Sequence, residues 1–403
     1  MDVARVRQDF PLLEKHGDEI AYLDSACQTL RPRQVIEAMN EYYLEYPACG
    51  GRSVHRLATQ VSIKVDEARE KLAGFLNARS SEEIVITKNC TEALNLVAKG
   101  FGLKRGDVVL GTDVEHNSNL VPWMQVEKQV GIRREFVTTP EDGLFDLERF
   151  KAKISKKVRM VSFVHVNNVT GTTIPIKEVV EISHDHGAAV MVDGAQAAAH
   201  MELDVTKDDV DFYALSGHKM LGPAGVGVLF GKKERLEKIE PLITGGGAVS
   251  ATSFERADFL PPPDRFEGGL LNYSGIIGTG VAADYLRSIG LEEIAAHEAR
   301  LNKMATESLE DVKGVEILAP HDPMARTSIF SFNVRGMSSH DVAMILDDMA
   351  GIMIRSGMHC AHPYFVSRGM SGCARASFSV YNDQADVMRF CAAVKELAST
   401  FSR

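Results

Sequence analysis

The segment Phe212-Tyr213-Ala214-Leu215-Ser216-Gly217-His218-Lys219 is an apolar stretch that ends in small and polar residues and then presents a lysine. A short apolar run that stops at such residues is typical of a buried strand. A lysine that forms a Schiff base has to be held by a tight turn and to lose its proton readily. Lys219 meets the first condition, although a lysine after a strand is more often simply solvated.

Short apolar strands alternate with amphipathic helices on both sides of this segment, from about residue 35 to residue 230. The predicted strands cover residues 84–87, 108–111, 133–137, 158–164, 188–192, 212–215 and 226–230. This alternation predicts a mainly parallel sheet covered by helices on both faces. The fold class is therefore α/β.

A Gly- and Pro-rich stretch over residues 244–272 interrupts the alternation and predicts an unusually long, functional loop. Beyond it the pattern predicts helices at 276–288, 291–309, 340–349 and 385–397 and strands near 328–334, 352–355 and 376–380. We expect a large domain over residues 17–289 and a smaller α+β domain over residues 290–403, which the N-terminal segment 1–16 joins.

The composition disfavours several classes of protein. The 403 residues carry 45 basic and 55 acidic side chains, a net charge of −10 without a basic block, so neither a nucleic-acid partner nor a membrane surface is expected. No apolar run approaches the roughly 18 residues of a membrane span, and the N-terminus lacks a secretory signal. The six cysteines are scattered without a Cys-x-x-Cys pair, which favours reduced thiols and a cytoplasmic location.

A carboxylate follows the strand that precedes the lysine segment. The apolar residues 189–192 lead into Asp193, and Gln196 follows three positions later. Ligands bind at the carboxyl ends of parallel strands. A carboxylate beside a pyridine nitrogen keeps it protonated and makes the ring an electron sink, as pyridoxal 5′-phosphate (PLP) requires. Asp193 and Lys219 together therefore predict a PLP site.

A phosphate site is predicted where the strand at 84–87 runs into a helix. The first turn of that helix offers free backbone amides and the side chains of Cys90 and Thr91. Ser216 and His218 are close enough to Lys219 in sequence to donate to the same phosphate. This site would hold the phosphate end of the cofactor.

Three further polar residues follow predicted strands and suit the ring of the cofactor. His116 could stack over a flat ring, whereas Asn168 and Gln196 could form hydrogen bonds with its phenolic oxygen. Taken singly, each is more often a loop residue that satisfies its own backbone. Their position at strand ends of one sheet is what favours the functional interpretation.

The segment Arg355-Ser356-Gly357-Met358-His359-Cys360-Ala361-His362-Pro363 places a thiol between two histidines and near an arginine. A nucleophilic thiol works best as a thiolate near positive charge, and the fork of an arginine suits a carboxylate. We therefore interpret Cys360 as a nucleophile rather than as an ordinary buried cysteine. A metal site of His359, Cys360, His362 and Cys373 is the alternative, but these residues follow no established ligand spacing, so no metal is predicted.

Together these motifs resemble the group II (SUF-type) cysteine desulfurases, which belong to the class V branch of the fold-type I PLP enzymes. The resemblance rests on residues 193–196, 216–219 and 355–363 and extends from residue 22 to residue 382 with the motifs in family order. It implies a role for individual residues: Lys219 as the Schiff-base lysine, Asp193 as the pyridinium partner, His116 as the stacking residue, Thr91, Ser216 and His218 as phosphate ligands, Cys360 as the sulfur acceptor, and Arg375 and Arg355 as arginines of the substrate site.

The implied reaction converts L-cysteine to L-alanine and leaves a persulfide on Cys360. A sulfur-acceptor protein, and ultimately iron–sulfur cluster assembly, would receive this sulfur. The family forms homodimers, so a homodimer is expected here as well. Two positions depart from the family: Leu270 replaces a threonine that usually reaches the PLP phosphate of the partner subunit, and Cys90 stands where a threonine is common.

Other activities remain open on the same scaffold, because a fold does not determine a reaction. They are selenocysteine lyase, C–S lyase and class V aminotransferase. A non-catalytic sulfur carrier or scaffold protein that no longer binds PLP efficiently is the alternative from a different class, and Leu270 and Cys90 motivate it.

Overall fold

The computed structural model describes residues 1–318 and 320–401, so Ala319 and the last two residues of the predicted small domain lie outside it. The helices are α1 (Val3–Gln8), α2 (Pro11–His16), α3 (Arg33–Glu45), α4 (Arg56–Leu76), α5 (Cys90–Gly100), α6 (Asn117–Val130), α7 (Leu147–Lys153), α8 (Ile176–Asp185), α9 (Lys233–Leu236), α10 (Tyr273–Ile289), α11 (Leu291–Leu309), α12 (Ser339–Ala350), α13 (His362–Ser367) and α14 (Gln384–Phe401). The strands are β1 (Ala21–Tyr22), β2 (Ile84–Thr87), β3 (Val108–Thr112), β4 (Arg133–Val137), β5 (Val158–Val164), β6 (Ala189–Asp193), β7 (Phe212–Ser216), β8 (Gly227–Gly231), β9 (Val249–Thr252), β10 (Ala257–Phe259), β11 (Val315–Ile317), β12 (Ile329–Val334), β13 (Ile352–Met353), β14 (Arg355–Gly357) and β15 (Cys373–Ser377).

The larger sheet has seven strands in the order β2-β8-β7-β6-β5-β3-β4. Its neighbours from β4 to β7 are parallel, and β8 is antiparallel to both β2 and β7. Strands β6, β7 and β8 are buried along their whole length, because helices cover both faces of the sheet. The predicted α/β class with a mainly parallel sheet is confirmed.

The parallel strands end at one edge of this sheet, and the polar residues found in the sequence follow there. Asp193 is the last residue of β6, and Lys219 follows three positions after the end of β7. Helix α5 begins at Cys90, three positions after the end of β2. The fold therefore gathers at one edge the side chains that the sequence scatters over more than a hundred positions.

A second, smaller sheet is antiparallel throughout and has the order β11-β12-β15-β14. Helices α11, α12 and α14 pack with it around a separate apolar core, which also contains Ala21 and Leu23. Strand β1 pairs in parallel with β13, so a segment from the beginning of the chain packs with the C-terminal unit. The domain boundaries at 17–289 and 290–403 stay a prediction. Among the described residues, no helix combines the length and apolar character needed to cross a membrane.

Three local predictions were wrong. The strand expected at 376–380 is β15, three residues earlier, because the strand ends at Ser377 and the chain turns from Val380. The Ser377 amide donates to the Leu23 carbonyl and the Phe378 amide to the Ser328 carbonyl, and beyond them only buried apolar side chains resemble a strand. The strand expected at 352–355 is two strands, β13 and β14, which have different partners. The stretch 244–272 is not all loop, since β9 and β10 form a hairpin whose turn is closed by the Ser253 side chain.

Candidate active site

A cavity of about 210 Å³ opens at the carboxyl ends of the parallel strands. Every residue that the sequence predicted for the site lines it: Cys90, Thr91, His116, Asn168, Asp193, Gln196, Ser216, His218, Lys219, Arg355, Cys360 and Arg375. The same wall contains residues that sequence reasoning did not assign to the site: Ala26, Cys27, Asn89, Ser118, Val164, Ala195 and His359.

Lys219 ends a single helical turn that follows β7. The turn is tight because the Gly217 amide donates to the Val226 carbonyl, and the Gly222 amide donates back to the Gly217 carbonyl, each at 2.9 Å. Burial lowers the pKa of Lys219, and the neighbouring Asp193 carboxylate opposes this shift. The amine therefore releases its proton more readily than a lysine in water, as a Schiff-base lysine must.

Asp193 is buried at the base of the cavity, with 3% of its surface exposed. Its Oδ1 accepts hydrogen bonds from the Ala195 amide at 3.1 Å and from the Cys90 thiol at 3.3 Å. Its Oδ2 accepts none from the described residues, so one oxygen is left for a ligand. The sequence placed the Cys90 side chain at the phosphate site, but in the structure its thiol faces Asp193 instead. The backbone amide of Cys90 donates to Ser216 Oγ at 2.9 Å.

The Cys90 thiol is an unreactive neighbour of this carboxylate. Burial raises its pKa well above the ordinary value, and the negative charge of Asp193 raises it further. Gly194 allows the chain to turn here, because a Cβ at this position would lie 2.0 Å from the Tyr213 ring. A side chain at position 194 would therefore not fit beside the Tyr213 ring.

The N-terminus of α5 forms the predicted phosphate end of the cavity. Asn89 caps the helix, because its Oδ1 accepts from the Glu92 amide at 3.0 Å. Thr91 Oγ1 lies 2.7 Å from Ser118 Oγ, which brings a second hydroxyl from α6 to this place. The Cys90 and Glu92 amides already donate to side chains, whereas the Thr91 amide has no partner among the described residues. A free first-turn amide and hydroxyl donors are groups that bind phosphate at helix N-termini.

His116 caps α6 and faces the cavity. Its Nδ1 accepts from the Ser118 amide at 3.1 Å, which fixes the orientation of the ring. Burial and the nearby Lys219 lower the pKa of His116 to about 4. The imidazole is therefore neutral at pH 7 and presents an uncharged flat face to a bound ring.

Asn168 and Gln196 are buried beside the cavity. Each amide nitrogen donates at 2.8 Å to a backbone carbonyl, Asn168 to His359 and Gln196 to Ala26. Their amide oxygens have no partner among the described residues, and a buried polar atom without a partner is rare. A ligand with polar ring substituents would satisfy them.

The two arginines of the site lie directly opposite each other on β14 and β15. Arg375 is 2% exposed, and its Nη1 donates to the Asn168 carbonyl at 2.8 Å while its Nη2 lies 3.7 Å from Asp24 Oδ1. Its Nε is buried without a partner among the described residues. Arg375 thus retains a free N–H donor for an anionic ligand.

The Cys360 loop is residues 358–361, between β14 and α13. Its backbone is left-handed at both His359 (φ +48°) and Cys360 (φ +56°), which is costly for residues other than glycine. The backbone amide of Asn117 donates to the Cys360 carbonyl at 2.7 Å, and the side-chain amide of Asn168 donates to the His359 carbonyl. The Cys360 side chain is exposed, so the loop presents a free thiol at the mouth of the cavity.

These residues fit PLP. Asp193 Oδ2 suits a pyridinium N–H, Lys219 suits the aldehyde, His116 suits the ring face, and the N-terminus of α5 suits the phosphate. The unpartnered oxygens of Asn168 and Gln196 point to the same conclusion. No group of three possible metal ligands was found among the described residues; His359 contacts Cys373, whereas His362 bonds to Asn117.

The sequence profile of the class V aminotransferases matches residues 21–390, and the chain belongs to this family. A probable cysteine desulfurase of Halalkalibacterium halodurans is 41% identical over 392 residues, which cover 96% of each chain. Another from Halobacterium salinarum is 40% identical over 408 residues, 100% of this chain and 98% of that one. The apo structure of a cysteine desulfurase from Thermococcus onnurineus has a TM-score of 0.94 at 40% identity, with 98% of each chain covered.

Some lining residues carried little signal in the sequence. Ser118 stands two positions after His116 and could have been added as a second hydroxyl at the phosphate end. Cys27 is different, because its partner Arg355 follows 328 positions later and nothing local in the sequence indicates their contact.

Proposed function

We propose that the chain is a PLP-dependent cysteine desulfurase of group II. It converts L-cysteine and the Cys360 thiol to L-alanine and a Cys360 persulfide, so that one sulfur atom is transferred and all hydrogens are accounted for. The observation that carries this proposal is that Lys219 and the exposed Cys360 thiol line the same cavity. An aminotransferase would have no use for the thiol.

Each side chain has a separate task in this reaction. Arg375 binds the substrate carboxylate through charge-assisted hydrogen bonds. Lys219, whose pKa is lowered by burial, moves the proton at the substrate Cα. Asp193 and the N-terminus of α5 would hold PLP, which would supply the electron sink that stabilises negative charge at the substrate Cα.

Cys360 takes the sulfur. Its Sγ forms the new S–S bond while the Cβ–S bond of the substrate breaks, and Cβ receives a proton to give alanine. Because the loop holds the Cys360 carbonyl and leaves the side chain exposed, the persulfide remains accessible from solvent. We propose that a sulfur-acceptor protein of iron–sulfur cluster assembly collects it there.

The proposed location is the cytoplasm. All six cysteines are unpaired in the structure, as is usual in a reducing compartment.

We propose that the chain acts as a homodimer. Large apolar side chains are exposed on two elements that pack together: Tyr43 and Leu44 at the end of α3, and Leu270 just before α10. Ser274, at the beginning of α10, donates to Tyr43 Oη at 3.0 Å. A monomer rarely exposes large apolar side chains together. A sedimentation experiment that finds only monomers at micromolar concentration would overturn this part of the proposal.

The test of the activity is the release of alanine and sulfide from L-cysteine by the PLP-loaded protein in the presence of a thiol reductant. Equal amounts of both products are expected. Pyruvate and ammonia in place of alanine would assign a C–S lyase, whereas consumption of a keto acid would assign an aminotransferase. Activity on selenocysteine alone would assign a selenocysteine lyase.

A further inference from the structure

Cys27 is one of three thiols on the wall of the cavity, with Cys90 and Cys360, and it bonds to one of the two arginines. Arg355 Nη1 donates to Cys27 Sγ, with 2.8 Å between the two atoms. The side chain of Arg355 makes no other hydrogen bond to the described residues. Its guanidinium therefore depends on Cys27 for its position.

Arg355 needs such a partner because of where it stands. It lies opposite Arg375 across the β14–β15 pair, and like charges in this arrangement repel each other. Each arginine has its own neighbour in the turn at residues 24–27: Asp24 Oδ1 lies 3.7 Å from Arg375 Nη2, too far for a hydrogen bond, and Cys27 Sγ accepts from Arg355 Nη1. The turn thus assigns one partner to each guanidinium.

The turn itself is fixed from both sides. The Ala26 amide donates to Ser377 Oγ at 2.9 Å, and the Ala26 carbonyl accepts from Gln196 at 2.8 Å. The Cys27 amide closes the turn onto the Asp24 carbonyl at 3.1 Å. A thiol mounted on such a rigid turn can define where a neighbouring guanidinium lies.

We propose that Cys27 is a positioning residue for the reaction, which keeps Arg355 away from Asp24 and thereby leaves Arg375 free to receive the substrate carboxylate. This proposal rests on the proposed function, since it assumes that cysteine binds in this cavity. Asp24 Oδ1 is buried and has no hydrogen-bond partner among the described residues, so it would attract an unheld Arg355. Arg355 would then compete with Arg375 for Asp24, and the orientation of Arg375 would be lost.

The test compares Cys27→Ala and Cys27→Ser in the PLP-loaded protein, each in the wild-type and in the Arg355→Ala background. Cys27→Ala should raise KM for L-cysteine about five- to tenfold with kcat changed less than twofold, which is about the net effect of losing one ordinary hydrogen bond, because a thiol is a weak acceptor. Cys27→Ser should restore a KM within twofold of wild type, because its hydroxyl also accepts. In the Arg355→Ala background, Cys27→Ala should have no further effect. Cys49→Ala is the matched control, since that thiol lies outside the cavity.

An unchanged KM in Cys27→Ala would overturn the proposal, and so would an equal effect of Cys27→Ala with and without Arg355. Thermal unfolding midpoints of the same variants test the contact without any substrate. Cys27→Ala should lower the midpoint only when Arg355 is present, and equal losses in both backgrounds would refute the contact. If the wild type is inactive on L-cysteine, the proposed function fails, and the unfolding midpoints alone then decide whether Cys27 holds Arg355.

Discussion

Lys219 and Cys360 line the same cavity, but the chain holds them by different means. Lys219 stands in a tight turn at the end of a buried strand, and burial lowers its pKa. Cys360 is exposed, and its loop keeps two left-handed residues in place through hydrogen bonds from Asn117 and Asn168. We call the Lys219 side of the cavity the buried half and the Cys360 loop the exposed half. Desolvation therefore sets the pKa of the lysine in the buried half, whereas backbone geometry sets the position of the thiol in the exposed half.

The largest effect is expected in the buried half. Lys219→Ala should lower the release of alanine at least about 10³-fold, because general acid–base catalysis and the covalent attachment of the cofactor are both lost. Stopped assays of alanine would measure it, with the exposed Lys177→Ala as the control. Retention of a tenth of the activity would mean that another base moves the Cα proton.

The next effect separates the two halves. Cys360→Ala should lower sulfide release about 10²-fold or more, because the nucleophile that accepts the sulfur is lost. The absorbance of bound PLP and the affinity for PLP should stay unchanged, because the Cys360 thiol is not one of the groups proposed to hold the cofactor. Cys49→Ala should change neither. Loss of PLP binding in Cys360→Ala would show that the two halves are not independent.

Arg375 is buried in the cavity and donates to Asn168, whose side chain bonds to the Cys360 loop. Arg375→Ala should weaken the binding of L-cysteine by about 2–3 kcal/mol, since it removes charge-assisted hydrogen bonds to the carboxylate. The ratio kcat/KM should fall accordingly, mainly through KM. A KM equal to that of wild type would remove Arg375 from the substrate site.

A smaller effect is expected in the exposed half. Asn117→Ala removes the contact between Asn117 Nδ2 and His362 Nδ1, which are 2.8 Å apart, but keeps the backbone bond to Cys360. Sulfide release should fall about threefold, the value of one exposed neutral hydrogen bond. Asn333→Ala, on β12 and outside the cavity, is the control. An unaffected rate would mean that the backbone bond alone orders the loop.

The smallest effect concerns pH. The pKa of His116 is lowered from its ordinary value of 6.5 to about 4, so the ring is neutral above about pH 4 and takes up a proton only below it. Protonation of His116 should therefore contribute nothing to the pH dependence of kcat/KM between pH 5 and pH 8. The profiles of the wild type and of His116→Gln should have the same shape in this range, whatever their heights. An acid limb near pH 6.5 that disappears in the variant would contradict the assigned neutral ring.

The sequence was sufficient to predict the residues at the strand ends and less so to predict contacts between distant segments. The strands and the residues at their ends follow from local apolar patterns, which is why Asp193 and Lys219 could be placed in advance. The direction of the Cys90 thiol depends on packing against β6, and the Cys27–Arg355 contact joins the two ends of the chain. Contacts of this kind are set by tertiary packing and leave no local pattern to read.

In the proposed reaction, Cys360 of the exposed loop accepts the sulfur atom while Lys219 acts at the substrate Cα. The most direct measurement is mass spectrometry of the Cys360 peptide after the PLP-loaded protein has reacted with L-cysteine without reductant. This peptide should gain the mass of one sulfur atom, in proportion to the alanine formed, and the gain should be absent in Lys219→Ala. Alanine formed without added sulfur on Cys360, or with the sulfur on Cys27 instead, would contradict it.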